Sequence, residues 1–253
     1  MGSMGGSKHL KALAAPALWP ILRKEYKWAV KPSPGPHPID RCIPLLIVVR
    51  NMLNYAKTSR EARKLIAEGH FKVDGVVRRS YKYPVGLMDV VEVTTTGEVF
   101  RVLPVPIRHM DLIRVPKEES SFKLCRIENK TVVKGGHIQL NLHDGRNHLI
   151  RVSDSRNPVE DIYDTLSTLK ISIPKQQLLD YVPLKEGVIA IVTWGRNVGR
   201  VGRIVSIQSG FKKVKSIVTL EDRNGVKFQT SLNYVFPIGI ENPLIHLPSG
   251  AWQ

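Results

Sequence analysis

Histidine and cysteine side chains are the groups in this sequence best suited to metal binding or nucleophilic catalysis. His137, His143 and His148 fall on a predicted β-hairpin that could bring two of them together, but no cysteine or third close ligand completes a tetrahedral site. Cys42 and Cys125 are far apart and belong to no paired motif, which favours reduced thiols over a disulfide or a zinc ribbon. Combinations of serine, histidine and aspartate occur without the nucleophile elbow of a hydrolase. We therefore predict no catalytic residue, no metal site and no cofactor.

Lysine and arginine side chains point to a different chemistry, the neutralisation of phosphates. The chain has 253 residues, with 38 lysines and arginines, 22 aspartates and glutamates, and a formal net charge of +16. The segment 86–169 holds eleven basic and twelve acidic residues, so the whole excess lies in the segments before and after it. A surplus of this size favours a polyanionic partner such as RNA.

Other classes of partner are poorly supported by the sequence. The longest apolar run, 42–49, is interrupted by Pro44 and is too short to span a bilayer. The basic residues fall on turns and on a capped helix, not on one broad amphipathic helix, which disfavours a membrane surface. The sequence has no G-x-x-x-x-G-K-[ST] loop, so we predict no nucleotide or other small-molecule substrate.

Two predicted helices position the first basic residues. The segment 44–56 has apolar residues at helical spacing and a proline in its first turn. A second helix is predicted to begin at Thr58, which can form a capping box with Glu61, and to end at Gly69. Its outer face is either a solvated charged surface or part of an RNA-binding surface. The basic residues of that face are Arg60, Arg63 and Lys64.

A short hairpin and a further strand follow the second helix. The segment 71–77 reads as two strands around a turn at Asp74 and Gly75, and another strand is predicted at 89–93. Tyr81 lies within a basic cluster, where it could stack on a base while the cations meet phosphates. The helices and this small sheet would then form a clamp for structured RNA. The basic residues of the cluster are Arg78, Arg79 and Lys82.

The remainder of the chain is predicted to be mostly β-structure. The middle section, nearly neutral over 86–169, has β-branched strands and glycine turns, and suggests a structural spacer or a face for protein neighbours. From Glu186 an alternating strand leads into a glycine-rich loop, and the next strand is predicted to begin at Arg203. Trp194 either stacks on a base or packs into the protein. The loop glycines are Gly195, Gly199 and Gly202, and the side chains predicted to point outward are Arg196, Asn197 and Arg200.

These segments carry a resemblance to a known family. Residues 42–93 resemble the two-helix RNA-binding domain first named for ribosomal protein four of the small subunit, and residues 186–208 resemble a KOW motif. The stretches KHLKALAAP, PSPGPHPIDRCIPLLIVVRNML, VDGVVRRSYKYPVGLMDVVEV, FKLCRI and VFPIGIENPLIHLP are similar to the archaeal and eukaryotic four-e family of small-subunit ribosomal proteins. The resemblance implies a cytoplasmic structural protein of the small ribosomal subunit, whose partners are small-subunit rRNA and neighbouring ribosomal proteins.

The predicted fold class is α+β with several domains. A basic N-terminal arm and Pro-rich linker occupy 1–40, a two-helix plus small-sheet RNA-binding domain 41–93, a central β-rich domain 94–177, a small KOW β-barrel 178–236 and a C-terminal tail 237–253. The residues expected to bind RNA, from the resemblance and the basic clusters, are Lys8, His9, Lys11, Arg41, Arg60, Arg63, Lys64, Lys72, Arg78, Arg79, Tyr81, Arg196, Asn197, Gly199, Arg200 and Arg203.

Two alternative functions share the RNA-binding chemistry. A KOW-containing ribosome-biogenesis or transcription factor would differ only in not staying in the particle. A pseudouridine synthase is suggested by DGRNHLIRV, which resembles a G-R-x-H-x-I-R-V stretch in one branch of those enzymes. The sequence lacks a catalytic aspartate in an H-R-L-D-like context, so we predict that the protein is not an enzyme.

Overall fold

The computed structural model describes residues 7–107, 109–154, 158–208, 210 and 215–248. The parts of the predicted arm and tail at 1–6 and 249–253 lie outside the described residues. Within the described part, most of the regular structure is β, in three five-stranded and two two-stranded antiparallel sheets. None of the helices in these ranges is both long and apolar enough to cross a membrane.

The strands are mostly short. Their bounds are β1 Leu10–Lys11, β2 Trp28–Ala29, β3 Cys42–Pro44, β4 Phe71–Val73, β5 Val76–Val77, β6 Pro84–Gly86, β7 Val90–Val93, β8 Val99–Leu103, β9 Asp111–Val115, β10 Phe122–Val132, β11 Ile138–Leu142, β12 Asn147–Ile150, β13 Thr168–Ser172, β14 Leu178–Val182, β15 Ile189–Val192, β16 Val201–Gln208, β17 Ile217–Glu221, β18 Lys227–Ser231 and β19 Val235–Gly239.

The strand pairing crosses the predicted domain boundaries. The first sheet has the order β5-β4-β7-β8-β9, the second β12-β11-β10-β13-β14 and the third β18-β17-β16-β15-β19, while β1 pairs with β2 and β3 with β6. Strands β8 and β9 follow residue 93 yet complete the first sheet, β14 belongs to the second sheet, and β19 extends beyond residue 236. The predicted boundaries followed changes in charge and composition, whereas sheets are completed by backbone hydrogen bonds, which composition does not reveal.

The first helical segment is shorter than the helix predicted for residues 44–56. Helix α1, Leu45–Ile47, continues as a single π-helical stretch, Val48–Met52. Pro44 lies outside the helix, because it has extended backbone and ends strand β3. Asn54 has a φ of 56°, a left-handed conformation that stops the helical path. The prediction was therefore right about the presence of a helix and wrong about its ends.

The second helix has the predicted ends. Helix α2 is Ser59–Glu68, and its N-cap Thr58 accepts a hydrogen bond from the Glu61 amide at 3.2 Å. The Glu61 carboxylate accepts in return from the Thr58 amide at 3.3 Å, so the capping box is confirmed. Gly69 ends the helix with a φ of 89°, where a side chain would be strained.

The N-terminal arm shares the core of the helical region. Leu18 and Trp19 of the arm are buried with residues of α1 and α2 in one apolar cluster. The Trp19 ring is 3% exposed, and its Nε1 donates to the Cys42 carbonyl at 2.6 Å. Leu18 and Trp19 thereby fix the arm against the core of the helical region. Basic residues of the arm that precede and follow them line a groove.

Candidate nucleic-acid interface

A concave surface forms where the arm meets α2. Strands β1 and β2 pair antiparallel, with Leu10 opposite Ala29 and Lys11 opposite Trp28, and this pair holds the arm beside the helix. The space between them is a groove of about 280 Å³, which we call the arm–helix groove. Within the part of the chain that the structure describes, no carboxylate lines it. Its polar and aromatic lining consists of Lys8, His9, Trp28, Lys31, Ser59, Arg63, Tyr81 and Lys82.

Tyr81 and Arg63 form a stacked pair in this groove. The guanidinium carbon of Arg63 lies 4.5 Å from the centroid of the Tyr81 ring, and the Lys82 ammonium lies 5.6 Å from the same ring. Such contacts are attractive, because the face of an aromatic ring is negative. Tyr81, which was predicted to stack on a base, therefore holds Arg63 in the groove.

The other predicted cations of α2 and the hairpin are exposed or paired within the protein. Arg60 is exposed, while Lys64 lies 4.0 Å from Glu68 one turn along the helix. Lys72 of β4 lies 3.8 Å from Glu92 of β7. Arg78 covers the Tyr83 ring at 4.5 Å, and Arg79 and Lys11 are exposed. Arg41 lies elsewhere, at a cavity of about 240 Å³ between the Pro-rich linker, strand β10 and the third sheet.

The glycine-rich loop lies between β15 and β16. Arg196 is exposed, but Asn197 donates to the Gln229 carbonyl at 3.0 Å and the Arg200 guanidinium covers the Phe228 ring at 4.4 Å. Two of the three side chains predicted to point outward thus lie against β18, at the far edge of the third sheet. The next strand begins at Val201, two residues earlier than predicted, so Gly202 and Arg203 belong to the strand and not to the loop. Arg203 is exposed opposite Glu221.

Gly199 joins this loop to the first sheet. It is buried with a φ of 79°, and a Cβ there would lie 2.5 Å from Cδ of Pro106. Trp194, at the start of the loop, stacks on His109 with ring centroids 5.2 Å apart. It also packs against the apolar cluster that contains Trp19. Of the two roles open to Trp194, the structure therefore shows packing within the protein.

A buried ammonium, Lys123 of β10, lies at the junction of the first two sheets and the arm. Lys123 is 1% exposed, and its Nζ lies 3.0 Å from Asp74 and 2.9 Å from Asp144, and also contacts Asp89. His37, in the Pro-rich linker, contacts Asp89 at 3.1 Å. We call these five side chains the Lys123 cluster. Its members come from the linker, the turn after β4, the segment before β7, strand β10 and the turn after β11, so the cluster ties together segments that are distant in sequence.

Attraction between buried opposite charges sets the pKa values of Asp89, Asp144 and Lys123. Burial alone would raise the pKa of Asp89, but Lys123 and His37 outweigh burial and hold this pKa below its ordinary value. Burial would likewise raise the pKa of Asp144, and Lys123 keeps it low. For Lys123 burial acts to lower the pKa, and the three carboxylates raise it well above its ordinary value. Asp89, Asp144 and Lys123 are therefore charged near neutral pH.

One group of potential metal ligands borders the cluster. Cys125, His143 and Asp144 place their ligand atoms within 4.8 Å of one another. The Asp144 carboxylate already contacts Lys123, and His143 accepts from the Arg126 amide at 3.1 Å while its other ring nitrogen contacts the Leu87 carbonyl at 3.2 Å. The ligand atoms of Asp144 and His143 are already engaged by protein groups, and the Lys123 ammonium supplies the positive charge beside Asp144. We assign no metal to this group.

Three basic or aromatic residues of the groove were absent from the predicted RNA-binding set. Trp28, Lys31 and Lys82 all line it. The segment KEYKWAV alternates lysine with aromatic residues, which is the signal that could have identified Trp28. The Lys123 cluster had no comparable signal, since each of its charged residues stands alone in an unremarkable strand or turn.

Comparisons of the sequence with known families account for most of the chain. Residues 4–40 match the RS4NT (NUC023) domain, residues 43–91 the S4 domain, and residues 96–178 the family described as Ribosomal family S4e. These segments follow the predicted arm, RNA-binding domain and central region in order. The resemblance to the four-e family of small-subunit ribosomal proteins is confirmed.

Full-length relatives and a solved structure agree with these matches. The chain is 71% identical over 252 residues to the small ribosomal subunit protein eS4 of Staphylothermus marinus, and also 71% identical to that of Desulfurococcus amylolyticus, with 100% of each chain covered. The crystal structure of the 30S ribosomal protein S4e from Thermoplasma acidophilum matches with a TM-score of 0.66 at 30% identity, covering 79% of this chain and 96% of that one. The chain belongs to the small ribosomal subunit protein eS4 family.

Proposed function

We propose that this protein is a structural constituent of the small ribosomal subunit, where it binds and stabilises small-subunit rRNA during assembly and translation. The observation that carries the proposal is the arm–helix groove, a concave surface with four cations, two large aromatic rings and no carboxylate in its described lining. Cations neutralise phosphates and aromatic rings stack on bases, so this combination suits RNA better than a protein or lipid surface. The relatives named above are small-subunit ribosomal proteins, which supports the same place for this chain in the cytoplasm.

The predicted RNA-binding residues are proposed to act in two groups. Lys8, His9, Arg60 and Arg63, with their basic neighbours on the arm, α2 and the hairpin, would meet one RNA segment. Arg196 and the exposed Arg203 would meet another at the third sheet, where we propose that residues 186–208 form a KOW motif in a small barrel. Asn197, Gly199 and Arg200 would then hold the shape of that loop. Neutral residues of the second sheet would face neighbouring ribosomal proteins.

The family consists of ribosomal structural proteins, so the chain is not an enzyme. The stretch that suggested a pseudouridine synthase contributes Asp144 and Arg146 to a buried ionic contact, where Asp144 is paired with Lys123. A biogenesis or transcription factor is likewise not favoured by relatives that carry the name of a subunit protein along their whole length.

Sedimentation of a native lysate through a sucrose gradient tests the proposal. Mass spectrometry of the fractions should find this protein in stoichiometric amounts in mature small subunits and in translating ribosomes. Its confinement to immature particles or to light fractions would overturn the proposal in favour of a biogenesis or transcription factor.

A further inference from the structure

Trp28 is the largest exposed aromatic side chain at the arm–helix groove. It lies on β2 with 52% of its surface exposed, although an indole ring is strongly stabilised by burial. The His9 ring lies 5.5 Å from it at a tilt of 48°, and the Lys27 ammonium lies 5.6 Å away. The ring is thus held in place by the β1–β2 pair while half of it remains open to a ligand.

The cations around Trp28 are arranged for a phosphate. Lys8 and Lys31 come from the arm, and Arg63 and Lys82 come from the opposite wall of the groove. Tyr81 lies under Arg63 and limits the movement of the guanidinium, so less conformational entropy is lost when an anion binds. Lys31 is itself anchored, because its ammonium donates to the carbonyl of Ser7.

The shape of the groove selects among nucleic acids. A base inside a double helix is covered on both faces by its neighbours, so it has no free face to stack on an indole ring. A base that has left the helix exposes a face, and such bases commonly stack on aromatic side chains. The groove, of about 280 Å³, is open along one side, which leaves room for the backbone to enter and leave.

We propose that the arm–helix groove binds a single unpaired nucleotide of RNA, with its base stacked on Trp28 and its phosphate held by Lys8, Arg63 and Lys82. This inference deepens the proposed rRNA-binding function and rests on it. Trp28 supplies the contact that distinguishes an unpaired nucleotide from a duplex, and Tyr81 positions Arg63.

Binding of the full-length protein to purified small-subunit rRNA tests the site. The variants are Trp28→Ala, Trp28→Phe and, as a matched control, Tyr26→Ala, because Tyr26 is an aromatic of the same arm, 58% exposed, that does not line the groove. Affinity is measured by filter binding, and the mobility of each nucleotide by acylation of its 2′-hydroxyl. Circular dichroism and a thermal melt of each variant verify folding.

We expect Trp28→Ala to weaken rRNA binding about tenfold, as the loss of one base–aromatic stack implies, and to raise the acylation of one unpaired nucleotide. Trp28→Phe should retain most of the affinity and the protection, and Tyr26→Ala should match the wild type. Unchanged affinity and acylation in Trp28→Ala, or changes confined to paired nucleotides, would overturn the nucleotide site while leaving rRNA binding intact. Failure of the wild type to prefer small-subunit over large-subunit rRNA would instead overturn the proposed function, and the site with it.

Discussion

His143 shows how its surroundings set the chemistry of a single residue. The ring is partly buried against Asp144, Lys123, His37 and Phe236, and both of its nitrogens contact backbone groups. Loss of hydration lowers the pKa of His143 to about 3. The imidazole is therefore neutral in the folded protein near neutral pH, where it forms hydrogen bonds with the backbone.

The pH dependence of stability follows from that pKa. In the unfolded chain a histidine binds a proton below about pH 6.5, whereas folded His143 does so only near 3, so acidification favours unfolding between these values. We expect this residue to reduce the free energy of unfolding by about 2 kcal/mol between pH 7 and pH 5. Urea denaturation at both pH values should show a smaller difference in His143→Gln than in the wild type, with His148→Gln as the control. Equal pH dependence in wild type and His143→Gln would mean that folded His143 takes up the proton.

Helix α2 presents the best-defined basic face of the interface. Its capping box fixes where the helix begins, and this in turn fixes which side chains point away from Ala62 and Ile66 toward the groove. Arg63 is the member of that face that both lines the groove and stacks on Tyr81.

Removal of Arg63 should alter the salt dependence of rRNA binding. Each phosphate contact releases condensed counterions, so Arg63→Ala should reduce the slope of log affinity against log salt by about one unit. The control is Lys134→Ala, an exposed lysine in a turn of the neutral middle segment, which should leave the slope unchanged. Filter binding over a series of potassium concentrations measures both. An unchanged slope for Arg63→Ala would mean that the basic face of α2 is a solvated surface that does not contact rRNA.

The loop between β15 and β16 depends on Gly199, and Gly187 provides a matched comparison. Both have positive φ, 79° and 87°, but a Cβ on Gly187 meets no atom within 4 Å, whereas one on Gly199 would clash with Pro106. Gly187→Ala should cost about 1–2 kcal/mol of stability from backbone strain, and Gly199→Ala should cost more. Gly199→Val should in addition impair incorporation into small subunits, as followed on a sucrose gradient. Equal costs for the two alanine variants would show that Pro106 moves aside.

How far the sequence predicted each element depended on whether the cause was local. Thr58, Glu61 and Gly69 determine the ends of α2 through neighbouring backbone groups, so the pattern alone was sufficient. The end of α1 was missed because it depends on the conformation of Asn54 and on the pairing of Pro44 in a strand. In the groove, Arg63 was predicted from its helical spacing. The pattern KEYKWAV could have marked Trp28 as a binding residue, but its position beside α2 depends on the pairing of β1 with β2, which a local pattern does not reveal.

At the scale of the whole molecule, the Lys123 cluster joins the arm, the first sheet and the second sheet. Its aspartates come from positions 74, 89 and 144, and the cation that balances them comes from a strand that was predicted to be part of a neutral spacer. Buried like charges repel strongly when no opposite charge is present, so the three carboxylates depend on Lys123. Arg146 is a second, partly exposed cation that lies 2.6 Å from Asp74 and 3.4 Å from Asp144.

Lys123→Met should therefore destabilise the whole protein. We expect a loss of about 3–5 kcal/mol, because the substitution removes the ammonium beside Asp89 and leaves Asp74 and Asp144 with only Arg146, whose side chain is 22% exposed. Lys130→Met is the matched control in the same strand, since Lys130 contacts Asp161 at 2.7 Å with 24% of its side chain exposed, and should cost about 1 kcal/mol or less. Urea denaturation measures both. A similar cost for the two variants would show that hydrogen bonds alone satisfy the aspartates of the cluster.

Arg126, on the same strand β10, links the order of synthesis to the completion of the fold. It is 5% exposed, and its guanidinium donates to the carbonyls of Asn233 and Val235 at 2.8 Å each. These acceptors lie more than a hundred residues further along the chain, at the start of β19. Until β19 has been synthesised these two hydrogen bonds cannot form, and Glu128 on the same strand is the partner that remains available to Arg126. We therefore expect the second sheet to complete its hydrogen bonding only when translation of this chain is nearly finished.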